Sequence, residues 1–461
     1  MRVRTTVACL LASALALTAC TTDDDPDPEP TGSPAPIKVV DLSLGVWGTE
    51  EEVAAYQDVV NVYDEATDEV TVDLQSFETH ADLMAAVRSG DVPDVFLVDR
   101  NDLSYLLDND VTQPIGERLD ERDVQFGDDY SRAALEAFSF DRDLQCMPYG
   151  ISPYVVYYNT NLVDFERMAE RELNVPNLDP DKTLKWSLDE FRTAAEFATR
   201  PRRGTTGVYV PPTLEGLAPF ILSGGGDLFD DDDDPTSLAF SSDDSKAALE
   251  EVLPVLRDPL LTLTPDQLAR ASAATWFARG KLGMIIGDRS LTPEFRRVPG
   301  IQFGVMPMPT LDDDATVGQL TGICIARDTP DLAESADLLV DFISTDAQRR
   351  VAPAGYLVPA NQTVALTDDF LQPTRLPARA DVFNQGVRDL YIPPLLPDQE
   401  ALETAVAPAI EQLLNVEIPD LDELTALIDE ASRTVLSPEE PSGSPTPTES
   451  PTGSPTGSPT G

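Results

Sequence analysis

Basic residues are scarce in this chain. Its 461 residues include 32 Lys and Arg against 82 Asp and Glu, so the formal net charge is −50. Proteins that bind nucleic acid, or a membrane surface through charge, need clustered Lys and Arg to meet phosphate groups. The composition therefore argues against both classes, and we interpret the acidity as a solvated surface that favours solubility.

Histidine is rarer still, since His80 is the only one. A single histidine offers no His cluster for a metal and no base for a Ser–His or Cys–His catalytic system. The acidic run at 230–234 lacks the alternating ligand spacing of a calcium loop, so we interpret it as a surface loop. We predict no metal site and no cofactor, and we expect His80 to face solvent in the first turn of a helix.

The two ends of the chain lack the pattern of a folded domain. Residues 1–19 have a basic start and an apolar run too short to span a membrane, and Cys20 follows to complete the motif LTAC. This motif is typical of a bacterial lipoprotein signal, and it predicts a lipid anchor on Cys20 at the extracellular face of the cell membrane. A secretory peptide with an incidental cysteine is the alternative. Residues 20–36 predict a Pro- and Asp-rich tether, and residues 437–461 a disordered Ser/Pro/Thr/Gly tail.

Only two cysteines remain in the predicted folded body, Cys146 and Cys324. An exported protein folds in an oxidising environment, where two such cysteines usually pair. We therefore predict a disulfide between them, with two buried thiols as the alternative.

The folded body begins with alternating strand and helix patterns. They are strands at 37–47, 70–77 and 94–99, separated by helices at 49–67 and 79–90. This order predicts a parallel, doubly wound α/β sheet, whose ligands would lie beyond the carboxyl ends of the strands. Thr49 and Glu52 are predicted to form a capping box at the first helix.

A second α/β pattern follows in the rest of the body. Ser187 and Glu190 predict another capping box, and Trp186 is placed to pack on Phe191. A helix pattern covers 264–280, and further helices and strands continue to residue 436. Two lobes of similar size account for this arrangement.

Several dispersed motifs then occur in a recognisable order. They are LGVWG, VPDVFLVD, MPYGISPYVVYYNTNL, WSLDEF, SGGG, FARGKLGMIIGD, LVDFISTDAQRR and GYLVP. Over residues 37–436 the chain resembles the extracellular solute-binding proteins of ABC importers, in the sugar-binding family 1 that includes maltose-binding protein. The resemblance implies a periplasmic-binding-protein-like α/β fold, with two doubly wound lobes joined by a multi-strand hinge. It also implies a monomeric receptor without enzymatic activity, whose partner is an ABC permease.

The resemblance also implies where the chain passes between the lobes. The crossings fall in the motif PYGISPY, at 320–323 and near 356–361. Lobe 1 would then comprise 37–150 with 320–357, and lobe 2 would comprise 151–319 with 358–436. Cys146 and Cys324 lie on the first two crossings, so their disulfide would join the base of the hinge.

A set of solute contacts follows from the motifs of this family. The predicted residues are Trp47, Glu50, Asp99, Arg100, Ser152, Tyr154, Gly225, Asp288, Arg289, Thr321, Gly322 and Tyr356. Sugars stack an apolar face on an aromatic ring and bond to carboxylates and Arg, which favours Trp47 as the stacking ring. The alternatives are a core position for Trp47, a helix-dipole role for Glu50, a surface ion pair between Asp99 and Arg100, and a helix C-cap for the glycines at 224–226.

The solute itself is predicted only by class. Aromatic residues make up 7% of the chain with three Trp, which is few for an oligosaccharide receptor and favours a mono- or disaccharide. A polyol remains open, as does a cationic solute because the chain is acidic. Two other functions remain open: a lipoprotein that senses solute for a signalling partner, and a glycosidase, for which no carboxylate pair is singled out.

Overall fold

A computed structural model describes residues 39–124, 129–179, 182–416 and 420–438. The predicted signal peptide, the Cys20 lipidation site and the tether lie outside these residues, as does the predicted tail from residue 439 onward.

The strands of the described residues form two main sheets and one short hairpin. They are β1 (Val40–Trp47), β2 (Val70–Phe77), β3 (Val95–Asp99), β4 (Ser139–Phe140), β5 (Asp143–Leu144), β6 (Met147–Pro153), β7 (Val155–Asn159), β8 (Thr206–Tyr209), β9 (Leu282–Gly287), β10 (Phe303–Met306) and β11 (Gly318–Ile325). Lobe 1 is built on the sheet β2–β1–β3–β11–β6, and lobe 2 on the sheet β10–β7–β9–β8.

The α-helices cover both sheets. They are α1 (Glu50–Ala66), α2 (His80–Ser89), α3 (Leu103–Asp108), α4 (Gly116–Asp120), α5 (Arg132–Ala137), α6 (Phe165–Ala169), α7 (Leu188–Ala198), α8 (Leu214–Ser223), α9 (Asp243–Leu256), α10 (Pro265–Leu268), α11 (Ala273–Ala278), α12 (Leu291–Arg296), α13 (Leu332–Phe342), α14 (Thr345–Val351), α15 (Gln362–Ala365), α16 (Asp368–Leu371), α17 (Asp381–Arg388), α18 (Gln399–Asn415) and α19 (Leu421–Leu436). Within the described part of the chain, no helix is both long enough and apolar enough to cross a membrane.

Lobe 1 has apolar packing on both faces of its sheet because side chains alternate along each strand. In β3, Val95 and Leu97 pack with α1, α13 and α14, whereas Phe96 and Val98 face α2 and α3. β1 is parallel to β2 and β3, as predicted, but β11 is antiparallel to β3 and to β6. The sheet is therefore mixed, because β11 runs against the first three strands, whereas β6, which is antiparallel to β11, runs in their direction.

Lobe 2 has one large apolar core. β8 and β9 are parallel, while β7 pairs antiparallel to β9 and β10. The predicted capping box at Ser187 and Glu190 is present, and the Trp186 ring meets Phe191 edge-on with centroids 5.4 Å apart. The helix predicted over 264–280 is wrong as a single element, since α10 and α11 are separate there.

Three segments run side by side where the lobes join. β6 ends at Pro153 and β7 of lobe 2 starts at Val155, so Tyr154 lies at the first crossing. β11 pairs with β6, and the Tyr154 N–H donates to the Val317 carbonyl at 2.8 Å. The third segment pairs with β6 from the other side, where the Ile151 N–H donates to the Val358 carbonyl at 2.9 Å.

The predicted disulfide is confirmed. Cys146 and Cys324 are bonded, with Cα atoms 4.4 Å apart, and both are fully buried. Cys324 lies in β11 next to Ile323, which pairs with Met147 of β6. The bond therefore joins the ends of two hinge strands inside the core of lobe 1.

Candidate ligand-binding site

The first part of the site is the carboxyl end of β1. Trp47 is partly buried, and its ring packs edge-on against His80 with centroids 5.0 Å apart. The His80 Nε2 atom lies 2.5 Å from Asp102 Oδ2. Burial lowers the pKa of His80, but the hydrogen bond and charge of Asp102 outweigh it and raise that pKa. The predicted solvent-facing position of His80 is met only in part: 35% of its side chain is exposed, and the imidazole contacts Trp47 and the Asp102 carboxylate.

Helix α1 brings Glu52, rather than Glu50, towards the interior. Glu50 is exposed, whereas Glu52 is partly buried and its carboxylate folds over Gly48, where an added Cβ would lie 2.2 Å from Oε2. Gly48 has a φ of 139°, which favours glycine. The pKa of Glu52 is raised to about 7, mainly by burial, with a further contribution from the charge of Asp288.

The Thr49 hydroxyl does not cap α1, which contradicts the predicted capping box. It donates instead to the Tyr356 hydroxyl at 2.5 Å, and Tyr356 also bonds to Arg297 of lobe 2. Arg297 Nη2 lies 3.2 Å from Glu51 Oε2, so an ion pair joins the rims of the two lobes. Tyr356 therefore lies at a contact between the lobes.

Asp99 and Arg100 lie at the carboxyl end of β3, beside the start of β11. Asp99 accepts the Asn101 N–H at 2.9 Å, and burial raises its pKa to about 6. Arg100 is 8% exposed and its Nε donates to the Ala137 carbonyl at 2.9 Å; burial lowers its pKa to about 10. The two side chains face the interlobe space without forming the surface ion pair that was the alternative interpretation.

Glu215 of lobe 2, in the first turn of α8, lines the same cavity as Asp99 and Arg100. The Tyr154 hydroxyl donates to Glu215 Oε2 at 2.6 Å. Burial raises the pKa of Glu215 to about 7, although the hydrogen bond from Tyr154 opposes this. Glu215 is not among the predicted contacts, because its only sequence signal is an acidic residue two positions after Thr213, the N-cap of α8.

Asp288 and Arg289 follow β9 and point in different directions. Asp288 is 8% exposed and its Oδ1 accepts the N–H and hydroxyl of Ser290 at 2.8 and 2.5 Å. Burial raises the pKa of Asp288, against these hydrogen bonds. Arg289 is fully buried, with its guanidinium 4.7 and 4.8 Å from the ring centroids of Phe370 and Phe383. Arg289 thus presents no group to a solute, contrary to its predicted role.

The predicted glycine and hydroxyl residues also differ in how exposed they are to a solute. Ser152 is buried at the hinge and accepts the Val358 N–H at 3.4 Å. Gly322 is packed so closely that an added Cβ would lie 2.6 Å from the Phe138 ring, while Gly225 has a φ of 80° and open space around it. Thr321 is partly buried and pairs with Asp99 across β11 and β3.

A cavity of about 50 Å³ lies between the lobes. Its lining residues are Asp99, Arg100, Asn101, Leu214, Glu215, Ala218, Leu228, Phe229, Val317, Gly318, Gln319, Leu320, Tyr391, Pro393 and Gln399. Pockets for small solutes usually measure about 300–1,000 Å³, so this cavity encloses only part of the volume that a sugar would need. Tyr391, which is not among the predicted contacts, donates to Asp232 Oδ1 at 2.6 Å.

A larger cavity of about 780 Å³ lies elsewhere on lobe 2, between α9, α10 and the end of α18. Its walls are mostly apolar or uncharged, and it contains no residue of lobe 1. The smaller cavity therefore remains the candidate site, because it combines both lobes, the hinge strand and convergent polar groups.

The model of the family called bacterial extracellular solute-binding protein matches residues 58–378. The chain belongs to this family. Its members are solute receptors rather than enzymes. The matching family is family 8 of these proteins, so the family number differs from the predicted family 1, while the predicted protein class is confirmed.

Solved structures of other solute-binding proteins share the fold. An ABC substrate-binding protein from Listeria monocytogenes, in complex with cycloalternan, is 18% identical with a TM-score of 0.72 over 86% of this chain and 99% of the other. The GacH receptor of Streptomyces glaucescens, solved unliganded and with acarbose, is 17% identical with a TM-score of 0.69 over 86% and 98%. The maltotriose-binding protein of Thermus thermophilus is 15% identical with a TM-score of 0.64 over 85% and 99%. No curated protein sequence matches the chain.

These likenesses confirm the predicted periplasmic-binding-protein-like fold for this solute-binding protein. The relatives are too distant in sequence to carry over individual contacts. The contact residues of this solute-binding protein therefore rest on its own geometry, which favours Asp99, Arg100, Glu215 and Tyr391.

Proposed function

We propose that this protein captures a small polar solute, most simply a sugar, between its lobes and delivers it to an ABC permease as a monomer. The observation that carries the proposal is the interlobe cavity, which takes polar groups from lobe 1, lobe 2 and the hinge strand β11. The similar structures from Listeria monocytogenes and Thermus thermophilus hold cycloalternan and maltotriose, which supports a sugar as the solute class.

The proposed mechanism is hinge bending. Because both lobes line the cavity, a solute contacts all its partners only when the lobes are closed, so binding shifts the equilibrium to the closed state. The hinge has three adjacent segments, and β6 bonds to both of the others near the crossing. Bending there moves the lobes without breaking either core.

Calorimetry with a panel of sugars and polyols tests the binding function. We expect saturable binding of at least one member and a smaller radius of gyration by X-ray scattering when it is bound. Asp99→Asn should weaken that binding by about tenfold or more, because it removes a buried hydrogen-bond acceptor of full charge. Glu166→Gln on exposed α6 is the matched control. Binding that is unaffected by Asp99→Asn would place the site elsewhere.

We further propose that Cys20 carries a lipid anchor. The motif LTAC at residues 17–20 supports this. Metabolic labelling with a radioactive fatty acid should mark the protein, and a Cys20→Ala variant should lose the label and leave the membrane fraction. Labelling that persists in this variant would refute the anchor.

A further inference from the structure

The interlobe site brings carboxylates of the two lobes towards each other. Asp99 from lobe 1 and Glu215 from lobe 2 line the same cavity. Glu52 from lobe 1 and Asp288 from lobe 2 lie close enough that the charge of Asp288 raises the pKa of Glu52. Four acidic side chains from both lobes therefore converge on one region.

Few groups neutralise this charge. Among the described residues that line the cavity, Arg100 is the only cation, and its Nε donates to a backbone carbonyl rather than to a carboxylate. Tyr154 supplies one neutral hydrogen bond to Glu215. Asp99 and Glu215 thus share the cavity with a single guanidinium, and the charge of Asp288 also acts on Glu215.

Asp288 has one carboxylate oxygen that is bonded within the protein and one that is open to a solute. It is more than nine-tenths buried, and both hydrogen bonds from Ser290 go to Oδ1. Within the described residues, no hydrogen bond or ion pair reaches the other carboxylate oxygen. This oxygen is not among the enclosed side-chain atoms that lack a partner, so it is open to solvent and free to accept a hydrogen bond from a solute.

Like charges repel more strongly when water is excluded, so closing the lobes over these carboxylates is unfavourable without compensation. Protons provide one form of compensation, and a positively charged solute provides another. A neutral sugar donates hydrogen bonds but brings no charge. A protonated amine brings both, and its hydrogen bonds to carboxylates are about twice as strong as neutral ones.

We propose that the solute carries a protonated amine, which the convergent carboxylates Glu52, Asp99, Glu215 and Asp288 select over a neutral solute of the same shape. This rests on the proposed interlobe function and names the chemistry that the site selects. An amino sugar satisfies both the sugar class and the charge, and a polyamine satisfies the charge alone.

Matched pairs of solutes test this with the purified full chain. The pairs are D-glucosamine with D-glucose, D-galactosamine with D-galactose, and spermidine with a neutral diol of similar length. We expect calorimetry near neutral pH to show binding of an amine member at least about tenfold tighter than its neutral partner, as expected for one buried charge-assisted contact. Glu215→Gln and Asp99→Asn should each reduce that preference, while the exposed control Glu166→Gln should leave it unchanged.

The possible results of this experiment separate the charge inference from the proposed sugar-binding function. If a neutral sugar binds as tightly as its amine partner, the charge inference fails while the proposed sugar receptor stands. If only spermidine binds, the charge inference stands and the sugar class fails. If no member of the panel binds, the charge inference is overturned as well. Circular dichroism of each variant separates lost binding from lost folding.

Discussion

At the scale of single residues, Arg289 is a charged side chain enclosed in the protein interior. Its side chain is fully buried, its Nε and Nη1 have no hydrogen-bond partner, and its remaining bond to the Phe370 carbonyl is long at 3.4 Å. Stacking between Phe370 and Phe383 compensates part of the lost solvation. The burial lowers the pKa of Arg289 to about 10.

Replacing this cation with an apolar side chain of similar length should be tolerated. For Arg289→Met we expect the free energy of unfolding to be unchanged or raised by about 1 kcal/mol, because an unpaired buried charge is removed. Urea unfolding measures this, with exposed Arg132→Met as the matched control. Solute affinity should also be unchanged; a selective loss of affinity would restore the predicted contact role of Arg289.

At the scale of elements, the hinge depends on β6 and β11. They pair antiparallel over most of their length, with a shift in register between Thr321 and Gly322. The disulfide joins them beyond this irregularity and closes a loop with a sequence separation of 178 residues. It therefore restrains the start of β6, the strand after which the chain first crosses to lobe 2.

Removing the disulfide should lower the stability of lobe 1, with a smaller effect on solute affinity. For the double variant Cys146→Ser and Cys324→Ser we expect the free energy of unfolding to fall by about 2–5 kcal/mol, because a long loop is released in the unfolded chain. Urea unfolding of the variant and of the reduced wild-type protein measures this. A variant as stable as wild type would show that strand pairing alone holds the hinge.

At the scale of the whole molecule, charged groups of the two lobes meet in two places: carboxylates in the cleft, which oppose closure, and an exposed ion pair at its rim, which favours it. The side chains of Arg297 and Glu51 are 48% and 63% exposed. Exposed ion pairs contribute at most about 1 kcal/mol. We therefore expect the ion pair at the rim to change the free energy of lobe closure only slightly. The carboxylates in the cleft and their solute should contribute most of it.

The rim is tested by Arg297→Gln. We expect solute affinity to fall by no more than about fivefold, because the pair is solvated and screened by salt. Calorimetry at low and high salt checks this, since the difference between variant and wild type should shrink as salt rises. A loss far above this range would mean that the Arg297 contact with Tyr356 is essential for closure.

The cleft carboxylates make the stability of the whole molecule depend on pH. The pKa values of Glu52 and Glu215 rise from 4.5 to about 7 on folding, mainly through burial. A raised carboxyl pKa means that the folded state binds more protons between these values, so this contribution is fully present below the lower pKa and is lost as pH rises through the higher one.

We therefore expect the ligand-free protein to gain stability from these two groups as the pH falls from about 8 to about 5. The charges that act on them are those of Asp288 on both, and of Asp99 and Glu403 on Glu215. Thermal unfolding of wild type and of Glu52→Gln with Glu215→Gln checks this. On acidification, the unfolding temperature should rise less in the double variant than in wild type, by about 2 °C or more. Parallel plots of unfolding temperature against pH would contradict this prediction.

Much of the local structure was predictable from neighbouring residues. The capping box at Ser187, the packing of Trp186 on Phe191 and the first three parallel strands all follow from patterns within a short window, and all are present. The disulfide was predictable by a different route, because an exported chain with two body cysteines favours their pairing.

The residues that contact the solute were less predictable from the sequence, as individual positions show. Glu52 and Glu50 are both acidic and both in the first turn of α1, yet only Glu52 turns inward, over Gly48. Thr49 had the pattern of a cap, but its hydroxyl bonds to Tyr356 from a distant part of the chain. Tyr391 and Glu215 carried no distinctive local signal.

The sequence by itself determined an acidic chain with two α/β patterns, because composition and hydrophobic period act locally and need no knowledge of distant contacts. The receptor class came from the resemblance of its ordered motifs to solute-binding proteins. Only the tertiary structure decided which polar side chains meet. Asp99, Glu215 and Tyr391 are far apart along the chain, and they line one cavity because the hinge strands bring the two lobes together. Burial in that cavity, which no local pattern encodes, is what raises the pKa values of the carboxylates and gives the site its chemical character.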